Sequence, residues 1–137
     1  MDQRLFYLLN LARQRVYKYA DQHTETHLGI SITQLGALLL IQQNEGCLLK
    51  EIAKELNLNN SALTGLANRM EQNGLVTRKP CELDGRASRM YLTTLGREKV
   101  QLALPLIKQL NSAMSAGFSD DEIKVILKFL NHLLTAF

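Results

Sequence analysis

The stretch from Lys50 to Gly96 constrains the fold most, because four local patterns follow one another in a fixed order. Glu51-Ile52-Ala53-Lys54-Glu55-Leu56 has helical spacing, with Ile52, Ala53 and Leu56 on one face. Asn57-Leu58 breaks it, and Asn tolerates the left-handed turn a tight corner needs. Asn59 or Asn60 can cap a second helix, since its side-chain oxygen accepts from free N–H groups of the first turn. Leu63, Leu66, Ala67 and Met70 form that helix's inward stripe. Ser61, Gly65, Asn68 and Gln72 project the other way, flanked by Thr64 and Arg69. Gly74 is placed to end the helix as a left-handed cap. Two short extended runs follow, Leu75 to Lys79 and Arg89 to Thr93, joined by a polar loop containing the turn pair Asp84-Gly85. Helix, tight turn, helix and β-hairpin in this order predict a winged helix-turn-helix.

Short hydrogen-bonding side chains on a rigid helix suit base edges in a major groove. The hairpin loop carries Arg86 and Arg89, which suit phosphates or a narrow minor groove, and Asp84 can orient Arg86. Charge placement agrees. Residues 47–100 carry nine basic against six acidic side chains, the whole of the chain's net +3, while the segments on either side are balanced. Taken singly, each feature has a plain explanation, since most polar helix faces and charged hairpins are simply solvated. The ordered combination is what points to duplex DNA.

These residues resemble a known family. Asp84-Gly85-Arg86-Ala87-Ser88-Arg89-Met90-Tyr91-Leu92-Thr93-Thr94-Leu95-Gly96 is similar to the wing signature of MarR-type regulators, roughly D-x-R-x-x-x-x-x-L-T-x-x-G. Glu51-Ile52-Ala53, Ser61-Ala62-Leu63-Thr64 and Glu71 to Arg78 resemble the same family's helix-turn-helix. The resemblance implies a homodimeric transcription factor on palindromic promoter DNA, often released by a small ligand or an oxidant. The candidate DNA contacts are Asn60, Ser61, Thr64, Asn68, Arg69, Arg78, Asp84, Arg86 and Arg89. Two positions depart from the family pattern. Gly65 stands where many members have Arg, at a helix cost of about 1 kcal/mol relative to Ala. Leu48 stands where a Ser or Thr cap is usual.

The flanks read as helices. Leu5, Leu8, Leu9, Ala12, Val16 and Tyr19 keep helical spacing up to Leu28-Gly29-Ile30. Ser31-Ile32-Thr33-Gln34 has the form of a capping box opening a helix, with Leu35, Leu38, Leu39 and Ile41 apolar nearly all round. Residues 47–49 are expected to add a short strand beside the wing. Thr93 or Thr94 can cap a helix to about Ser115, which Pro105 should kink or restart. Ser119-Asp120-Asp121-Glu122 is a second capping box, before the stripe Ile123, Ile126, Leu127, Leu130, Leu133, Leu134 and Phe137. The expected fold is mainly α: one winged-helix domain over 1–137, with 30–98 binding DNA and 1–29 and 99–137 as dimerisation helices. Apolar helices at both ends want a partner surface, and a second copy fits that need.

With 46% apolar and 21% charged residues, the composition is that of an ordinary globular protein. The Met1-Asp2-Gln3-Arg4 start is not that of a signal peptide, and no membrane helix is expected, so the cytoplasm is the default location. No enzyme is expected, because there is no phosphate-cradling glycine loop and no nucleophile elbow. No cofactor is expected either. His23 and His27 stand four apart, a spacing that can present two imidazoles to a metal, although a solvated helix end explains them more simply. Cys47 and Cys81 do not make a disulfide framework; a redox-sensing role is open for them, with Arg78 and Lys79 near Cys81. The expected function is a homodimeric repressor with a small-molecule or oxidant effector. The alternative is a winged-helix protein-interaction module without specific DNA binding, favoured by Gly65 and Leu48.

Overall fold

The computed structural model describes all residues, Met1–Phe137. The elements are α1 (Leu5–Leu28), α2 (Ile32–Gln43), α3 (Leu49–Leu56), α4 (Asn60–Gln72), β1 (Val76–Pro80), β2 (Ser88–Leu92), α5 (Thr94–Ser115) and α6 (Asp120–Ala136). The chain is mainly helical with one antiparallel hairpin, β1–β2. It divides into two compact units, Met1–Leu106 and Ile107–Phe137. No helix is long and apolar enough to cross a membrane.

In the first unit α2 is the central post. It packs against α1, α3 and β2, and α4 packs against α3 and β1. Leu35, Leu38 and Ile41 of α2, Ile52 of α3, Leu66 and Met70 of α4, and Leu75, Met90 and Val100 are fully buried. Each such side chain contributes roughly 1.5–3 kcal/mol of burial. The inward stripe of α4 is the expected one, Leu63, Leu66, Ala67 and Met70.

Chain ends and corners explain where each element stops. Asn59, rather than Asn60, caps α4, its Oδ1 accepting from Ala62 N–H at 2.8 Å. Asn57 takes the left-handed conformation at φ 53° and turns the chain between α3 and α4. Leu48 has no acceptor to offer α3, and Glu51 covers part of the loss by accepting from Leu48 N–H at 3.2 Å. At the end of α4, Gly74 has φ +70°, and Leu75 N–H donates to Met70 C=O at 2.9 Å. That bond uses Leu75 to close the helix, so β1 begins one residue later than its apolar run. Thr93 is likewise taken by α5: its Oγ1 accepts from Gly96 N–H at 3.0 Å and donates to Gly74 C=O at 2.6 Å. β2 therefore ends at Leu92.

The hairpin pairs Val76 with Leu92 through Pro80 with Ser88. The strand expected at 47–49 is a single bridge, Leu48 to Arg89. Gly96 sits where a Cβ would collide with the Leu75 carbonyl oxygen, so α5 can approach β1 this closely only through glycine. Pro105 does not restart α5, which is helical from Thr94 to Ser115 through it. Its ring is exposed, and a proline on an open helix face costs the bond to the preceding turn without a packing clash.

The apolar stripe of α1 is only partly used. Ala20, Thr24 and Leu28 are buried, whereas Leu5, Phe6, Leu9 and Tyr19 are exposed. The second unit holds the end of α5, a turn at Gly117 (φ +85°) and α6. Ser119 and Glu122 form both halves of the capping box, at 3.2 and 2.9 Å. No residue of α6 is fully buried; Val125, Leu127, Phe129 and Leu134 are among its exposed side chains.

Candidate nucleic-acid interface

The polar face of α4 is open. Asn60, Ser61, Thr64, Asn68 and Arg69 are all exposed, and the inward stripe fixes the helix beneath them. Thr64 Oγ1 donates to Asn60 C=O at 2.9 Å, which leaves its lone pairs and methyl outward. Asn68 is not free: its Oδ1 accepts from Arg78 Nη2 at 2.8 Å, and Arg78 Nε also donates to Glu71. Arg78, on β1, is therefore tied to α4 by both partners. It stiffens the junction between helix and wing, with its side chain 26% exposed. Gly65 does not lie on the open face. It is half-buried, and the guanidinium of Arg69 lies over it, so a Cβ there would meet Arg69 Nη1 at 3.1 Å.

At the wing tip the turn runs from Asp84 to Ala87, Ala87 N–H donating to Asp84 C=O at 2.9 Å. Gly85 and Arg86 are thus its central residues. Asp84 Oδ1 accepts from Arg86 N–H at 3.1 Å and from Arg86 Nε at 3.4 Å, the orienting role expected of it. The Arg86 side chain is 94% exposed. Arg89 is placed differently from its expectation as a DNA contact. Its Nη1 donates to Gly46 C=O at 2.9 Å, and Nη2 and Nε donate to Glu82 at 3.0 and 3.2 Å. This fork holds the base of the wing against the loop after α2. The same bond holds the Glu82 carboxyl below its ordinary range.

The charge excess of this segment is thus largely committed within the chain. Arg78, Arg86, Arg89 and Arg97 pair with Glu71, Asp84, Glu82 and Glu45. Lys99 donates to Leu28 C=O, and Lys79 lies 5.0 Å from the Tyr91 ring centre. Glu71 and Glu82 were invisible as partners in the sequence, because each reaches its arginine across a chain reversal rather than along one element.

Other candidate chemistry is displaced by geometry. Cys47 and Cys81 are both buried, and burial pushes the Cys47 thiol up, away from the reactive thiolate. His23 stacks on Tyr19 with ring centres 4.0 Å apart, and its Nδ1 lies 3.0 Å from Tyr19 C=O. That nitrogen is therefore engaged with the helix backbone, and no group of three or more possible metal-ligating His, Cys, Asp or Glu side chains includes the pair.

A sequence profile described as MarR family matches residues 30–88. HTH-type transcriptional regulator MgrA of Staphylococcus aureus aligns over 138 positions at 26% identity, covering 99% of this chain and 90% of its own. The chain belongs to the MarR family. The organic hydroperoxide resistance transcriptional regulator of Bacillus subtilis is 41% identical over 69 residues, which are 50% of this chain and 47% of that protein. The match thus spans about half the length of this curated relative. Among solved structures, a MarR protein from Peptoclostridium difficile has a TM-score of 0.89 at 20% identity, over 99% of this chain and 88% of its own. A Staphylococcus aureus MepR–DNA complex gives 0.88 at 22% identity, over 99% and 100%. At these identities the structures show the fold, the MarR winged helix. MarR proteins are transcriptional regulators, a non-enzymatic class.

Proposed function

We propose that this MarR-family regulator is a homodimeric repressor that occludes a palindromic promoter site and is released by a small ligand. One observation carries the DNA reading: the exposed polar face of α4 and the 94% exposed Arg86 belong to one unit, braced by the Arg78–Glu71–Asn68 and Arg89–Glu82 contacts. In this reading residues 30–98 bind DNA. Asn60, Ser61, Thr64 and Asn68 read base edges, Arg69 meets phosphate, and Arg86 enters the minor groove with Asp84 orienting it. Arg78 and Arg89 act mainly by positioning the wing. The exposed apolar faces of α1 and α6 support dimerisation through residues 1–29 and 99–137. The buried thiols favour a small ligand over an oxidant as the effector. The MepR–DNA complex and the BpsR structure concerned with regulation by 6-hydroxynicotinic acid provide precedents within this fold.

Selection of bound sequences from random duplex DNA tests the reading. A palindromic consensus, its half-sites about 10 base pairs apart, is the expected result. No enrichment at low salt would favour the protein-interaction module instead.

A further inference from the structure

A cavity of about 720 Å³ lies in the first unit between α1, the start of α2 and α4. Its α1 wall is one helical stripe, Lys18, Asp21 and Glu25. Its α4 wall is the edge that carries Gly65 and Arg69, next to the face that reads DNA in the reading above. Tyr17, Leu58 and Leu66 add apolar surface.

Three features mark this cavity as a binding site. The first is Gln34. The sequence pattern expects its side chain to close a capping box on Ser31, but only the other half forms, with Ser31 Oγ accepting from Gln34 N–H at 3.1 Å. The side chain lies in the cavity wall instead, 5% exposed, with Oε1 lacking any hydrogen-bond partner. Buried side-chain amides are normally satisfied, and an exception calls for a partner. The second is charge. Lys18 and Arg69 face the same cavity as Asp21 and Glu25, yet the chain's ion pairs within 4.0 Å all lie elsewhere. Asp21 Oδ1 accepts from Ile32 N–H at 2.8 Å, which fixes that carboxylate in place. The third is Gly65, whose missing side chain gives Arg69 room to lie back along α4.

We propose that this cavity binds a small zwitterion with an apolar body, an amino acid or a close analogue, and that Arg69 is shared between this ligand and DNA. The ligand carboxylate takes Lys18 and Arg69, its ammonium takes Asp21 and Glu25, and a polar group on its body satisfies Gln34. The balanced charges, two of each sign, disfavour a simple anion or cation, because either would leave a facing pair desolvated and uncompensated. With Arg69 held by the ligand carboxylate, α4 loses its phosphate contact and DNA affinity falls. This coupling rests on the DNA reading of α4; binding to the cavity does not.

The test is calorimetric titration of the full chain with L-phenylalanine, L-tyrosine and L-tryptophan, and with their N-acetyl and amide derivatives. At least one free amino acid should bind saturably. Its N-acetyl and amide forms, each lacking one charge, should bind at least about tenfold more weakly, as should Lys18→Ala and Gln34→Leu proteins. The bound amino acid should weaken affinity for the selected duplex at least about fivefold, the lower end of ordinary coupling. Gln34→Leu should bind DNA normally without ligand and lose that response. If Gln34→Leu fails to fold, Lys18→Ala, an exposed change on α1, decides the matter alone. No binding by any of the three, equal binding of the N-acetyl form, or unchanged binding in both variants would overturn the proposal. Binding that persists in a protein that selects no DNA would overturn the DNA reading and the shared role of Arg69 while leaving the cavity as a ligand site.

Discussion

Arg86 and Arg89 stand three residues apart in one hairpin and do different work. Arg86 is held out from the tip, with only Asp84 beside it, and nothing in the core uses its guanidinium. Arg86→Ala should weaken binding to the selected duplex by roughly 1–3 kcal/mol and make its salt dependence shallower. The thermal melt should not move. Arg89 binds Glu82 and the Gly46 carbonyl, so Arg89→Ala should lower the melting temperature as well as DNA affinity. The pH dependence follows from Glu82, whose carboxyl is held below its ordinary value by the bond to Arg89. A depressed carboxylate stabilises the fold above its unfolded pKa, and that contribution is lost as pH falls through the folded value. The gap in melting temperature between wild type and Arg89→Ala should therefore be full near neutrality and close as pH drops below about 4. A gap that stays constant from neutral to acid pH would show that the pair does not brace the wing. The sequence showed both arginines but not the difference between them, since Glu82 and Gly46 reach Arg89 only through the folded hairpin and loop.

At the level of elements, local signals were legible wherever one residue's chemistry decides the backbone. Asn57, Asn59, Gly74 and Ser119 end or start helices as their side chains, or the lack of one, dictate. The strands each fell one residue short of their apolar runs, because Leu75 and Thr93 are used by the neighbouring helices. Gly96 is the least obvious case. In the sequence it is the last letter of a motif; in the fold it is the point where α5 meets the Leu75 carbonyl. Gly96→Ala should cost about 1–3 kcal/mol by overpacking, despite alanine's better helix propensity. Chemical denaturation measures this directly, and a stabilised variant would mean that α5 and β1 are not held this closely. The cavity beside α4 was not legible at all. Lys18, Gln34 and Arg69 are far apart in sequence, and Gly65 looked like a gap in the reading face rather than room for Arg69.

At the scale of the whole molecule, the exposed apolar surface is the feature that a single chain leaves unexplained. Leu5, Phe6 and Leu9 on α1, and Leu127, Phe129, Leu130 and Leu134 on α6, each expose more than a third of their surface. Helical periodicity found these stripes but cannot say whether a stripe meets its own chain or another. In a dimer they would be covered, and two α4 helices would be presented to one duplex about 34 Å apart. Removing residues 130–137 should then abolish dimerisation and leave a chain prone to aggregation, which light scattering would record. The most direct measurement is sedimentation equilibrium of the intact protein, alone and with its selected duplex. The expected masses are those of two chains without DNA and of two chains on one duplex with it. A well-folded monomer in solution, or one chain per duplex at saturation, would contradict the dimeric repressor.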